Sequence, residues 1–191
     1  VLLNDGTGVF TDDSAGRLPA AEDATHDIAA ADVDGDGDMD LVTINRGSQN
    51  GMLINDGTGV FSDETATRLP ADTASSLKAE VADVDADGDP DLLLAEGGDG
   101  VRLLVNDGAG VFTDETGARL PAIDAFVTRI VRGDLDYDGD PDLVLLNAGQ
   151  DQCLLNDGAG TFAFAAPPLL PADTRRSLGA AAVDAAPGQQ H

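Results

Sequence analysis

Three copies of one acidic nonapeptide constrain this chain more than any other feature. Asp-x-Asp-x-Asp-Gly-Asp-x-Asp occupies residues 32–40, 83–91 and 134–142, so successive copies start 51 residues apart. Five carboxylates in nine residues repel one another, and a folded chain can crowd them only around a cation. An all-oxygen donor set selects a hard ion. Many donors on an irregular loop favour Ca²⁺ over Mg²⁺, which demands a tighter octahedron. The glycine in sixth place (Gly37, Gly88, Gly139) permits the sharp turn that wraps backbone around an ion.

Each loop can be read place by place. Asp32, Asp34 and Asp36 offer side-chain oxygens from places one, three and five, Asp38 offers its backbone carbonyl from place seven, and Asp40 closes the site from place nine. The same roles fall to Asp83, Asp85, Asp87, Asp89 and Asp91, and to Asp134, Asp136, Asp138, Asp140 and Asp142, giving three expected Ca²⁺ sites. An EF-hand begins similarly but needs a bidentate acid at place twelve and a helix beyond it. Thr43, Leu94 and Leu145 stand there, inside apolar runs, which excludes that reading. A fourth copy begins at Asp184, but no carboxylate follows it, so no ion is expected there.

A formal charge of −26 and a pI near 4.1 exclude nucleic acid and anionic membrane surfaces as partners, since both need basic patches. No apolar stretch is long enough for membrane insertion. Cys153 is the single cysteine and fills the slot held by Met52 and Leu103 in other units, the place of a small buried hydrophobe. Calcium is scarce in cytosol, so weak oxygen-donor loops point to an extracellular or cell-surface, bacterial protein.

A second marker keeps the same period. Asn-Asp-Gly-x-Gly starts at Asn4, Asn55, Asn106 and Asn156, each copy followed by a phenylalanine (Phe10, Phe61, Phe112, Phe162) and later by Leu-Pro-Ala. Asp-Gly between apolar runs signals a hairpin, and such periods with short strands are those of propeller blades. The units run 1–25 (partial), 26–76, 77–127, 128–176 and 177–191 (partial). In each, a first strand ends just before the acidic loop, and a second follows it at 41–44, 92–95 or 143–146. The third lies at 52–54, 103–105 or 153–155, and the fourth holds the phenylalanine. Pro90 and Pro141 cannot donate to a ladder, which puts the acidic loop between strands rather than within one.

The sequences Asp-Val-Asp-Gly-Asp-Gly-Asp-Met-Asp-Leu-Val and Asn-Asp-Gly-Thr-Gly-Val-Phe resemble the FG-GAP/VCBS repeats of calcium-binding β-propellers, including the head of integrin α-subunits. The resemblance implies an all-β propeller of four-stranded antiparallel blades with Ca²⁺ in the first interstrand loop, and usually seven or so blades. About 3.5–4 blades are counted here, so the chain reads as an arc of a larger propeller, its open faces to be covered by the remaining blades or a second copy; the alternative is a small four-bladed ring closed by the N-terminal strands meeting the C-terminal one.

What recurs in every unit serves the blade, so Arg17, Arg68 and Arg119, each before Leu-Pro, read as structural contacts. What differs can recognise a ligand. The connections between second and third strands, at 46–51, 97–102 and 148–152, offer Arg46, Gln49, Asn50, Asp99, Arg102, Gln150 and Asp151 on the face opposite the acidic loops. Lys78, Arg129 and Arg132 fall on first strands and could face a central channel. With no Trp and only Tyr137, an aromatic sugar platform is lacking. His26 and His191 are the only histidines and form no catalytic set. The expected function is extracellular binding or adhesion to a protein or glycan, without enzymatic activity. The alternative is an accessory or catalytic propeller part of a secreted polysaccharide-degrading enzyme.

Overall fold

A computed structural model describes residues 1–20, 23–98, 100–166 and 170. The chain opens on a hairpin of β1 (Leu2–Asn4) and β2 (Phe10–Asp12), followed by a helical turn, α1 (Ser14–Arg17). The first complete blade is β3 (Thr25–Ala31), β4 (Asp40–Asn45), β5 (Gly51–Asn55) and β6 (Phe61–Asp63), closed by α2 (Thr65–Arg68). The second is β7 (Lys78–Ala82), β8 (Asp91–Ala95), β9 (Val101–Asn106) and β10 (Phe112–Asp114), closed by α3 (Thr116–Arg119). The third is β11 (Val127–Gly133), β12 (Asp142–Asn147), β13 (Gln152–Asn156) and β14 (Phe162–Phe164). Every blade is an antiparallel meander in sequence order.

The four-strand unit is therefore as expected, with small shifts. Second strands start on the ninth-place aspartate, directly after Pro90 and Pro141 in two blades. The helical turns were not expected. Each places an arginine four residues after an acid, and the pairs Asp13–Arg17, Glu64–Arg68 and Glu115–Arg119 all close.

Blade stacking makes the core. Strand β8 is buried on both faces: Leu92 and Leu94 pack toward the first blade with Val42 and Ile44, whereas Leu93 packs toward the third with Leu143 and Leu145. Burying each such leucine stabilises by about 1.5–3 kcal/mol. Strand β4, next to the incomplete hairpin, keeps only its Val42 and Ile44 face fully covered. Phe112 and Phe162 fill the two blade interfaces.

The innermost strands β3, β7 and β11 lie side by side. Equivalent positions on them carry Asp27, Lys78 and Arg129, and Lys78 pairs with Asp27 at 2.6 Å across the first junction. Arg132 pairs with Glu80 at 3.2 Å across the second. Among the described residues the sheets do not close into a ring. The single strand expected near 177–184, and Asp184 with it, lie outside the described residues.

Candidate metal centres

The acidic loops join first to second strands at one end of the blades. Carboxylate oxygens of Asp32, Asp34 and Asp36 come within 4.8 Å of one another, as do those of Asp83, Asp85 and Asp91, and those of Asp134, Asp136 and Asp142. Places one and three thus converge in every loop, joined by place five in the first and place nine in the others. The loops are shaped by their own backbone. Asp32 accepts the Asp36 and Gly37 N–H groups at 3.1 and 2.9 Å, and Asp83 accepts those of Asp87 and Gly88 at 3.2 and 3.0 Å. The fourth place needs positive φ, met by Gly35 (72°) but also by Ala86 (60°) and Tyr137 (67°), which L-residues adopt only at a cost.

The ninth-place aspartates are fully buried and do a second task. Asp91 Oδ2 accepts the Val84 N–H at 3.0 Å and its Oδ1 accepts the Asn106 N–H at 2.9 Å, so one carboxylate ties the loop to the third strand. Asp40 and Asp142 repeat the arrangement with Val33 and Asn55, and with Leu135 and Asn156. Burial pushes the Asp91 carboxyl up to about 6, aided by the charges of Asp85 and Asp87 and opposed by the two N–H donors. Asp40 is raised for the same reasons.

The seventh-place side chain turns away from the loop and sits over the hairpin turn of its own blade. A Cβ added at Gly108 would come within 2.5 Å of Asp89 Oδ2, and one at Gly57 within 2.6 Å of Asp38 Oδ2. That close approach explains the first glycine of Asn-Asp-Gly-x-Gly. The turn also bridges blades. Asn106 Nδ2 donates to the Val33 carbonyl of the preceding loop at 2.8 Å and to the Pro90 carbonyl of its own at 3.2 Å. Asn156 does the same with Val84 and Pro141.

The recurrent arginines complete this junction. Arg68 donates to the Ala109 carbonyl in the next blade at 2.6 Å and reaches Asp34 Oδ2 at 3.1 Å. Arg119 contacts the Ala159 carbonyl at 2.8 Å and Asp85 Oδ2 at 3.0 Å. The structural reading of these arginines is thus met, but their hold on a third-place carboxylate was not foreseen. The sequence did carry a hint. In sequence the equivalent of Arg119 in the last unit is Leu169; Asp136 is exposed, whereas Asp34 and Asp85 are half-buried. Arg119→Ala should destabilise the protein by roughly 2–3 kcal/mol, from lost charge-assisted bonds across a blade junction. Arg17→Ala, which lacks a metal-loop partner, should cost about 1 kcal/mol. Urea unfolding of both variants checks this, and equal losses would refute the bridging role.

The repeat has a family counterpart. The model of the FG-GAP-like repeat matches residues 1–43, 32–94, 83–145 and 134–185. The chain belongs to the FG-GAP-like repeat family. Among solved structures, an Agrocybe aegerita lectin, described for its specific recognition of non-reducing terminal N-acetylglucosamine, is similar in fold with a TM-score of 0.52 and 22% identity. The alignment covers 85% of this chain and 44% of the lectin chain, so the FG-GAP-like chain spans under half of that neighbour's length. No curated protein sequence matches the chain. No described helix is long and apolar enough to cross a membrane.

The opposite end of this FG-GAP-like fold carries the candidate ligand residues. Asn50 is buried, accepting the Asn45 N–H and donating to Ser76. Gln49 accepts the Asp72 N–H at 2.6 Å, and Arg102 pairs with both Asp72 and Asp114. Asp151 accepts the Asn147 N–H at 2.9 Å, and the Gln150 carbonyl accepts from Asn147 Nδ2 at 2.8 Å. Arg46 is exposed, and Asp99 lies outside the described residues. Most of these groups are thus engaged within the fold, and Gln49 and Gln150 also line clefts. One cleft of about 410 Å³ lies among Gln49, Asp63, Thr65 and Leu69, and another of about 300 Å³ among Phe126, Asn147, Gln150 and Gln152.

Proposed function

We propose that this chain is a calcium-stabilised, non-enzymatic propeller module that binds a protein or glycan outside the cell. One observation carries the calcium reading. Asp34 Oδ1 and Asp85 Oδ1 are buried and have no hydrogen-bond partner, while each lies in a cluster of three carboxylates. Burying a carboxylate oxygen with no donor costs several kcal/mol, and a cation in the cluster supplies the missing partner. The donors are oxygens alone, which fits Ca²⁺. What the ion would do follows from the junction: it fixes a loop whose carbonyls and carboxylates hold the next blade through Asn106, Asn156, Arg68 and Arg119.

The binding part of the reading rests on the clefts at the other end, whose volumes suit small ligands or loop tips, and on the lectin with the same fold. That lectin's sugar makes terminal N-acetylglucosamine the first glycan to test. Calorimetric titration of calcium-stripped protein should give close to three Ca²⁺ per chain, with Mg²⁺ at least tenfold weaker. A stoichiometry near zero would remove the calcium reading. A glycan array and a protein array, each run in Ca²⁺ and in EDTA, test the binding reading, which fails if neither captures the folded protein.

A further inference from the structure

Successive acidic loops meet on a single side chain. The Asn106 carboxamide donates to the Val33 carbonyl at 2.8 Å and to the Pro90 carbonyl at 3.2 Å. Val33 lies between places one and three of the first loop, and Pro90 between places seven and nine of the second. Asn156 repeats the bridge one blade on, donating to Val84 in the second loop at 2.7 Å and to Pro141 in the third at 3.3 Å. Both asparagines are buried, so solvent does not stand in for a carbonyl that moves away. Their orientation is fixed as well. Asn106 Oδ1 accepts the Gly108 and Gly110 N–H groups at 3.2 and 3.0 Å, and Asn156 Oδ1 accepts those of Gly158 and Gly160 at 3.2 and 3.1 Å. The amide nitrogen is thereby left facing the two carbonyls.

The same turns hold ligand places directly. The Asn106 N–H donates at 2.9 Å to Asp91 Oδ1, at place nine of its own loop. Arg68, bonded to the Ala109 carbonyl in that turn, reaches Asp34 Oδ2, at place three of the preceding loop. Asn156 and Arg119 do likewise for Asp142 and Asp85. One hairpin turn thus bonds to donor places of two loops at once.

We propose that Asn106 and Asn156 couple neighbouring loops, so that Ca²⁺ binds them with positive cooperativity; this rests on the calcium reading above. A loop without its ion holds five carboxylates in nine residues, and their repulsion opposes the wrapped backbone. Both hydrogens of one amide are bonded only when both loops are wrapped. An ion in one loop therefore lowers the ordering cost of the next. Charge acts the other way, because a first Ca²⁺ weakens the negative field that attracts the second. That opposition is screened beyond about 8 Å at physiological salt, whereas the hydrogen bonds are not. An occupied loop also stays negative, with five carboxylates against two charges.

Tyr137, the only tyrosine in a chain without tryptophan, stands at place four of the third loop and reports on that loop. Tb³⁺ emission excited through Tyr137, and its displacement by Ca²⁺, measures third-loop affinity in the full chain at about 0.15 M salt. Asp87→Ala removes an exposed fifth-place carboxylate from the second loop. It should weaken Ca²⁺ binding at the third loop about fivefold, the lower end of usual coupling between sites. The same change should leave the third loop within about twofold when made in Asn156→Ala. It should do so too in Asn156→Asp, which lacks the NH₂ donors but keeps the acceptor for the turn. A calorimetric isotherm of the unaltered chain should be steeper than that of three independent sites. Third-loop affinity that ignores Asp87→Ala, or that falls equally with and without the Asn156 amide, overturns the coupling and leaves the calcium reading standing. Absent Tb³⁺ emission together with absent heat of Ca²⁺ binding removes the calcium reading, and the coupling with it.

Discussion

Chelation by EDTA is expected to lower the melting temperature by roughly 15–30 °C. Each site that binds Ca²⁺ only in the folded state contributes about 2.7 kcal/mol when free calcium is a hundredfold above its dissociation constant, so three sites give about 8 kcal/mol. For a chain of this size each kcal/mol moves the midpoint by about 2–4 °C. Two features make the effect large here. The clusters hold mutually repelling carboxylates that the apo protein must keep together, and Asp34 and Asp85 each bury an oxygen without a donor. The loops also bear on blade junctions, so losing the ion loosens more than a turn. Calorimetry in Ca²⁺ and in EDTA measures the difference, and a shift of only a few degrees would remove calcium from the account of stability.

The parts of this fold legible in sequence were those with a period. Fifty-one residues between acidic loops, a phenylalanine after each Asn-Asp-Gly-x-Gly and apolar runs after each loop placed strands and blade order, because blade packing is repetitive and each unit meets the same neighbours. What stayed hidden depends on contacts between distant residues. The ninth-place aspartates read as metal ligands, and nothing local marks Asp91 as the acceptor for Asn106, fifteen residues on. Ala86 and Tyr137 gave no sign of positive φ, since only the fold forces that conformation on a residue other than glycine. The variable loops were read from difference alone. Difference picked out loops that lie at the end opposite the acidic loops, but it did not reveal that Arg102 is held between Asp72 and Asp114 or that Asn50 is buried.

Asp91→Ala is expected to destabilise the protein by about 3–5 kcal/mol even in EDTA, and by more in Ca²⁺. The substitution leaves the Val84 and Asn106 N–H groups buried without an acceptor, at about 1–3 kcal/mol each, and opens a small cavity. Asp36→Ala offers the contrast: Asp36 is exposed, so its loss should lower stability in Ca²⁺ and change little in EDTA. Together the two variants separate the hydrogen bonds of the ninth-place carboxylate from the expected metal site. The pH dependence separates them again. In the folded apo protein the Asp91 carboxyl is raised to about 6 from an ordinary 3.8, chiefly by burial, so folding takes up a proton. Its contribution to stability in EDTA therefore grows as pH falls through about 6 toward 4, where buried charge is neutralised, and is lost as pH rises through 6. In Ca²⁺ the sign reverses over the same window, because protons compete with the ion for the carboxylate. Melting curves from pH 7 to 5 should rise in EDTA and fall in Ca²⁺ for the unaltered chain, with the EDTA rise smaller in Asp91→Ala. An Asp91→Ala protein that melts in EDTA like the unaltered chain would show that the ninth-place carboxylate holds only metal and not the blade.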